Sequence, residues 1–273
     1  MRRLLPPNKP RLLSPAPPTR RSFIAGGVAA FGAASLAACN QLDRAGDAPA
    51  FRDLLSSAEN LTRGSQRLLL RGQPLAREFA EADLSKQFKA NGTTAPDSLS
   101  YYTLSAGFAD WRLEVGGLVR TKLSLSLSEL LAMPSRTQIT RHDCVEGWSC
   151  IGKWKGTALA NVLDLAGLTG DTRYIVFGCA DVMEPGLTGD IYYYESIDLF
   201  DAFHPQTILA YEMNDKPLPV AHGAPLRLRV ERQLGYKSAK YLMKIDAVAS
   251  LAPYGEGKGG YWEDRGYEWY AGI

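Results

Sequence analysis

The sequence predicts an α+β fold, on three observations. Short alternating or continuous apolar runs, the signature of strands, recur along the chain after residue 110. The helical stretches between them are brief and scattered, without the regular strand–helix alternation of a parallel α/β sheet. No internal repeat or low-complexity segment appears after residue 40. With 273 residues, 45% of them hydrophobic and 22% charged, the chain has ample material for a buried core and is neither disordered nor fibrous.

The elements follow in order. Residues 1–38 hold six basic residues (Arg2, Arg3, Lys9, Arg11, Arg20 and Arg21), six of the sixteen prolines and no acid. Thr19-Arg20-Arg21-Ser22-Phe23-Ile24 precedes an Ala/Gly-rich run to Ala38, which reads as an export signal of the twin-arginine type and implies a periplasmic protein. Leu36-Ala37-Ala38-Cys39 fits either a lipobox, with Cys39 lipidated as the mature N-terminus, or ordinary cleavage after small residues. Residues 39–78 read as a polar, partly helical spacer, and residues 79–273 as the functional domain.

Within that domain Trp111, Leu113 and Val115 alternate as in a strand, and Gly116-Gly117 marks a turn or bulge. Ser128-Glu129-Leu130-Leu131 opens a short capped helix. Strands are expected at Thr137 to Cys144, Tyr174 to Cys179, Ile191 to Tyr194, Ile208–Met213, Leu226–Val230 and Tyr241–Val248. Helices are expected at Thr157 to Ala166 and Ser196 to Phe203. The last twenty residues, rich in Gly, Tyr and Trp, read as a docked tail.

Charge narrows the function. The formal charge is +2, but without residues 1–38 the chain has 25 basic against 29 acidic residues, which argues against nucleic-acid binding. Four cysteines (Cys39, Cys144, Cys150 and Cys179) are too few for a disulfide framework. Free thiols in an exported protein need a reason to persist, and metal ligation is one.

Two constellations carry chemistry. In Arg141-His142-Asp143-Cys144-Val145-Glu146-Gly147-Trp148-Ser149-Cys150, a cysteine sits at a strand end beside a cation and a Gly-containing turn. There a thiolate can be stabilised and can bind a soft metal, although a buried, inert thiol fits the same residues. The Cys144/Cys150 spacing suits neither a zinc ribbon nor a redox dithiol. Further on, His222-Gly223-Ala224-Pro225-Leu226-Arg227 leads to Gly235-Tyr236-Lys237-Ser238-Ala239-Lys240. Gly235 permits a tight turn, after which two cations, a hydroxyl and successive N–H groups suit a phosphate, with Arg227 adding a forked contact. A solvated basic turn is the competing reading of that loop alone.

The ordered set Arg-x-x-Cys-x-Glu-x-Trp-Ser, His-Gly-x-Pro-x-Arg-Leu and Gly-Tyr-Lys-Ser-x-Lys resembles the sulfite oxidase family of molybdopterin enzymes, over about residues 80–250. The resemblance implies a mixed-sheet molybdopterin-binding fold and a Mo-molybdopterin cofactor, a pterin monophosphate with one molybdenum. It assigns Cys144 as the molybdenum ligand and Arg141 as an arginine near the metal. It assigns Arg227, Ser238, Ala239 and Lys240 to the pterin phosphate and His222 to the cofactor. Phe88-Lys89-Ala90-Asn91-Gly92 resembles the upstream cofactor segment, which implicates Lys89 and Asn91. Cys179 falls where relatives in the family carry a cofactor-contacting Thr, a departure from the pattern. Glu146 reads as a supporting acid, and Trp148 as a core residue or a pterin neighbour.

The implied activity is two-electron oxygen-atom transfer, with reduction of an S=O or related oxo group, small or protein-bound, expected to outpace sulfite oxidation. Val145 to Ser149 contains an acid and no cation, which disfavours a sulfite dianion. A sulfite dehydrogenase and a cofactor-less lipoprotein binding module are the alternatives. The chain has no Cys-x-x-Cys-His haem motif, so a separate electron-transfer partner is expected, a membrane haem protein by analogy with the family.

Overall fold

The computed structural model describes residues 61–62, 64–68, 74–104, 107–187 and 189–273. Residues 1–38, expected as an export signal, and Cys39 lie outside the described residues. The chain divides into two compact units, Met1–Leu69 and Leu70–Ile273. In the first, the described residues are helical. None of the described helices is long and apolar enough to cross a membrane.

The second unit is α+β, as its sequence pattern requires. Helix α1 (Leu99–Leu104) precedes strands β1 (Arg112–Gly117) and β2 (Leu123–Ser126) and helix α2 (Leu127–Ala132). Strands β3 (Ser135–Asp143) and β4 (Ser149–Ala158) follow, then helix α3 (Leu159–Ala166) and strands β5 (Tyr174–Glu184) and β6 (Ile191–Asp198). After helix α4 (Leu199–Ala202) come β7 (Ile208–Met213), β8 (Lys216–Pro217), β9 (Arg227–Arg229) and β10 (Leu242–Val248). One five-stranded sheet runs β2-β1-β10-β5-β6, mixed because β1 and β10 are parallel while its other pairs are antiparallel. The second sheet, β3-β4-β7-β8 with β9 on β7, is antiparallel.

The main core packs the inner face of the first sheet, with Leu113, Val115, Ile175, Phe177 and Ile245, against Leu159, Val162 and Leu163 of α3. These α3 positions recur at helical spacing, which is why that helix forms where a strand ends. Helix α2 starts at Leu127, one residue before the expected Ser128. Ser126 is its N-cap, accepting from the Glu129 N–H while the Glu129 carboxylate accepts from the Ser126 N–H.

Two expectations are corrected. Strand β4 occupies residues 149–158, so helix α3 begins only at Leu159 rather than Thr157. The interruptions Gly152 and Gly156 hide its alternation, whose buried members are Cys150, Gly152, Trp154 and Gly156. The stretch expected as helix from Ser196 is the end of β6, and only Leu199–Ala202 is helical. Ser196 and Ile197 are buried, and the cap that starts α4 is Asp198, accepting from the Asp201 N–H at 3.0 Å.

Candidate cofactor cleft

Strand β3 ends at Asp143 and delivers Cys144 into a reverse turn. The Cys144 N–H donates to the Trp148 carbonyl at 2.9 Å, and the Gly147 N–H to the Cys144 carbonyl at 3.0 Å. Gly147 has φ +83°, so the turn requires glycine there. The Cys144 side chain is buried, with the Asn91 amide Nδ2 3.7 Å from its Sγ. Burial pushes its thiol pKa up and the Glu146 charge adds to this, while Lys89 and Asn91 pull the other way. Such a thiol is a poor free nucleophile, but a soft metal cation deprotonates a coordinating thiol outright.

The next strand position inward, His142, is buried at 3% exposure. Its Nδ1 lies 2.8 Å from Arg229, whose guanidinium forks onto Glu231 at 2.6 Å. Burial, then the charges of Arg229 and Arg227, hold its pKa well below the usual imidazole range, so it is neutral and accepts from Arg229. The Phe88 ring sits 5.8 Å from His142, 5.3 Å from Trp154 and 5.6 Å from His222. Trp154 in turn lies under two cations, Arg229 at 4.4 Å and Arg227 at 5.0 Å.

The second constellation folds against the first. Gly235 approaches the His142 ring so closely that a Cβ would collide with its Nε2, which is why the loop opens on glycine. Arg227 donates to the carbonyls of His222 and Ser238, each at 3.0 Å, and its buried Nε has no partner among the described residues. Burial, then repulsion from Arg229, brings its pKa down to about 9. The Lys240 ammonium donates to the carbonyls of Asn91 (2.8 Å), Thr93 and Ala221 (3.3 Å), tying the upstream segment to this loop. Burial and the Arg227 charge lower its pKa to about 8. These shifts have one physical meaning: cations are held out of water with too few anions near them. Asp181 is the acid beside them; burial raises its pKa to about 6, and its Oδ1 is buried without a partner.

Asn91, Arg227, Ser238, Ala239 and Lys240 line one cleft with about 470 Å³ of unfilled space, part of it open to solvent. His222 stands behind it, through Arg227 and Phe88. Three expected residues are placed elsewhere. Arg141 is exposed, alternates with buried His142 and binds Asp143 at 2.9 Å. Lys89 is exposed beside the cysteine turn, 3.5 Å from Glu146 and 5.1 Å over the Trp148 ring. Cys179 is buried within the main core, its thiol pushed well up by burial and by the charges of Asp181 and Glu195.

Lys237, read above as a second phosphate cation, is withdrawn from that role. It is fully buried, 2.5 Å from Glu195 and 2.6 Å from Glu263. Sequence reasoning missed Asp181, Trp154 and Thr93. Asp181 was accessible in principle, since it is two residues beyond Cys179 on the same strand face.

The fold and the cleft together define a cofactor-binding oxidoreductase domain. Its family is shown by comparison: a model described as the oxidoreductase molybdopterin binding domain matches residues 102–253, and the chain belongs to that family of molybdopterin-dependent oxidoreductases, of the sulfite oxidase type. A protein of Azospira oryzae bearing the name of a protein-methionine-sulfoxide reductase subunit, YedZ1, is 35% identical over 93% of this chain and 88% of its own. The protein-methionine-sulfoxide reductase catalytic subunits MsrP of Campylobacter jejuni and Xanthomonas axonopodis are 29% and 39% identical. Those matches cover 62% and 52% of this chain, and 60% and 46% of theirs.

Proposed function

We propose that the protein is a molybdenum–molybdopterin oxidoreductase that reduces an S=O substrate, with methionine sulfoxide as the substrate class. The observation that carries this reading is the cleft itself. Two cations held largely out of water, Arg227 with a buried, unpartnered Nε and Lys240 with its lowered pKa, share it with Asn91, whose amide reaches the Cys144 thiol.

The residues present fit the cofactor. Arg227, Ser238, Ala239 and Lys240 would hold the pterin phosphate, and the Cys144 thiolate would bind molybdenum. Among the described residues no three His, Cys, Asp or Glu side chains converge on one metal position. A metal on Cys144 would draw further ligands from outside the chain, and the dithiolene of a bound pterin would supply two of them. When bound, that group supplies the two-electron couple for oxygen-atom transfer. The chain's own work is to orient it through Asn91 and the phosphate loop, to bury the thiolate, and to keep His142 neutral beside it.

The electrostatics favour a neutral S=O group over sulfite. Beside Cys144 the cations are paired with acids, Lys89 with Glu146 and Arg141 with Asp143, so among the described residues no set of free cations converges there on a sulfite dianion. Arg227 and Lys240 are assigned to the pterin phosphate. The names of the relatives support the same substrate class. Electrons would come from a separate partner, with a haem-bearing membrane protein as the candidate. Export by the twin-arginine route rests on Arg20-Arg21 alone. Its test is fractionation of the Arg20→Lys/Arg21→Lys double variant, which should stay in the cytoplasm.

The deciding experiment pairs molybdenum and pterin analysis with steady-state assays on the purified holoenzyme. Reduced dye with sulfoxides should give the larger specificity constant, and sulfite with an oxidised acceptor the smaller. A sulfite constant above that of every sulfoxide tested would reverse the direction, and protein without stoichiometric molybdenum from a cofactor-competent host would remove the cofactor.

A further inference from the structure

Three aromatic rings cluster at the cofactor cleft. Tyr236 and Trp262 line it, and Tyr267 packs on both: its ring stacks on Trp262 at 5.3 Å and 27°, and meets Tyr236 edge-on at 5.3 Å. Tyr236 and Trp262 are half-buried and Tyr267 is 40% exposed, so the cluster presents aromatic surface to solvent rather than hiding it in the core. Contiguous, partly exposed aromatic surface in and beside a cleft is expensive to hydrate and is a common mark of a ligand contact.

The rings are also held still. Tyr236 donates through its hydroxyl to the Glu268 carbonyl at 2.5 Å. The residues directly after Tyr236 and Trp262 are Lys237 and Glu263, and these are locked together at 2.6 Å in the protein interior. A buried ion pair one residue behind each ring fixes the backbone that carries it, the arrangement expected of a preorganised contact surface.

We propose that Tyr236, Trp262 and Tyr267 form an aromatic wall that contacts the carbon arms and sulfur of the substrate, and so set its specificity among sulfoxides. The inference rests on the sulfoxide-reductase reading above. A sulfoxide has one strongly polar end, its oxygen, and two apolar arms. The polar end belongs on the Cys144–Asn91 side of the cleft and the arms on the rings, where polarisable sulfur and methylene groups make favourable aromatic contacts. A long apolar arm, as in a methionine side chain within a peptide, covers more ring surface than two methyl groups do. Sulfite has no arm at all, and the wall offers it nothing.

The test compares wild type with Trp262→Leu, Tyr267→Leu and the conservative Trp262→Phe. In reduced-dye assays the ratio of kcat/KM for N-acetylmethionine sulfoxide to that for dimethyl sulfoxide should fall about tenfold in the leucine variants. The fall should come mainly through KM, and Trp262→Phe should restore most of it. Binding of the non-reducible N-acetylmethionine sulfone, followed by tryptophan fluorescence, should weaken in parallel in Tyr267→Leu. An unchanged selectivity ratio and unchanged sulfone affinity would overturn the wall, as would loss of pterin from the leucine variants, which would assign the rings to the cofactor. A wild-type holoenzyme that binds the sulfone yet reduces no sulfoxide would instead sink the reaction and leave the wall standing.

Discussion

At the scale of single residues, the chemistry of this cleft depends on side chains held in protonation states they would not adopt in water. Cys144 is the clearest case. Burial favours its neutral thiol, so the thiolate should exist only when a metal compensates it. Cys144→Ser should therefore keep the native fold while losing bound molybdenum and turnover together, checked by metal analysis and the circular-dichroism spectrum. Lys240 works in the opposite sense. Its ordinary pKa near 10.5 is lowered to about 8, by burial first and Arg227 second. Phosphate binding favours the ammonium, so retention should be full below pH 8 and weaken as pH rises above it, with one proton lost as the anion leaves. Pterin fluorescence released from the holoenzyme between pH 7 and pH 10 measures this directly. Lys240→Ala should raise the released fraction at every pH, since a charge-assisted contact is worth about 1.5–3 kcal/mol, roughly tenfold to a hundredfold in affinity. At this scale the sequence was informative where a residue's type announces its role. The thiol after a strand, the arginine of β9 and the Ser238–Lys240 loop all sit at or beside the cleft. It failed at Lys237, because no local pattern reveals that two acids distant in sequence, Glu195 and Glu263, already claim that ammonium.

At the scale of elements, the site depends on how closely β4 lies against its neighbours. Its register with β7 shifts between Lys155 and Gly156, and at that bulge a Cβ on Gly156 would strike the Leu209 carbonyl of β7. The glycine is thus what allows β4 to carry Trp154 beneath Arg227 and Arg229 while still pairing with β7. Gly156→Ala should destabilise the fold by about 1–3 kcal/mol through overpacking against backbone that cannot yield. For a unit of this size that lowers Tm by about 3–10 °C, read by calorimetry on the holoenzyme; an unchanged Tm would show that the bulge relaxes freely. The same glycines explain why β4 escaped the sequence reading. Gly152 and Gly156 occupy buried positions that would otherwise be apolar, and the surviving signal is a lone Trp154 between two lysines. The strands that were legible, β5, β7 and β10, are those whose buried face is filled by Val, Ile, Leu and Phe side chains.

At the scale of the whole molecule, the C-terminal tail closes the cofactor loop onto the first sheet. The Leu234 N–H donates to the Ala271 carbonyl at 2.8 Å, Gln233 bridges to Gly272, and the Ile273 N–H reaches the Arg232 carbonyl at 3.0 Å. A docked tail was legible from its aromatic and glycine content, but the electrostatic bolt beneath it was not, since it joins three distant segments. Lys237 comes from the loop, Glu195 from β6 and Glu263 from the tail, and all three are at most 1% exposed. One ammonium faces two carboxylates, and each carboxylate has an Oε2 with no partner among the described residues. Burial raises the Glu195 pKa well above the ordinary range against the pull of Lys237, which favours its neutral, protonated form over a second bare charge. Lys237→Met would leave both acids without their cation in the interior. Breaking a buried pair in this way costs about 3–5 kcal/mol, and the loss should appear as a lower Tm together with faster release of pterin, because the loop and tail loosen as one. A triple variant, Lys237→Met with Glu195→Gln and Glu263→Gln, removes the charges altogether and should recover much of the Tm. If the single variant melts as wild type does, the bolt carries no stability. If the triple variant is as unstable as the single one, packing rather than charge holds the tail in place.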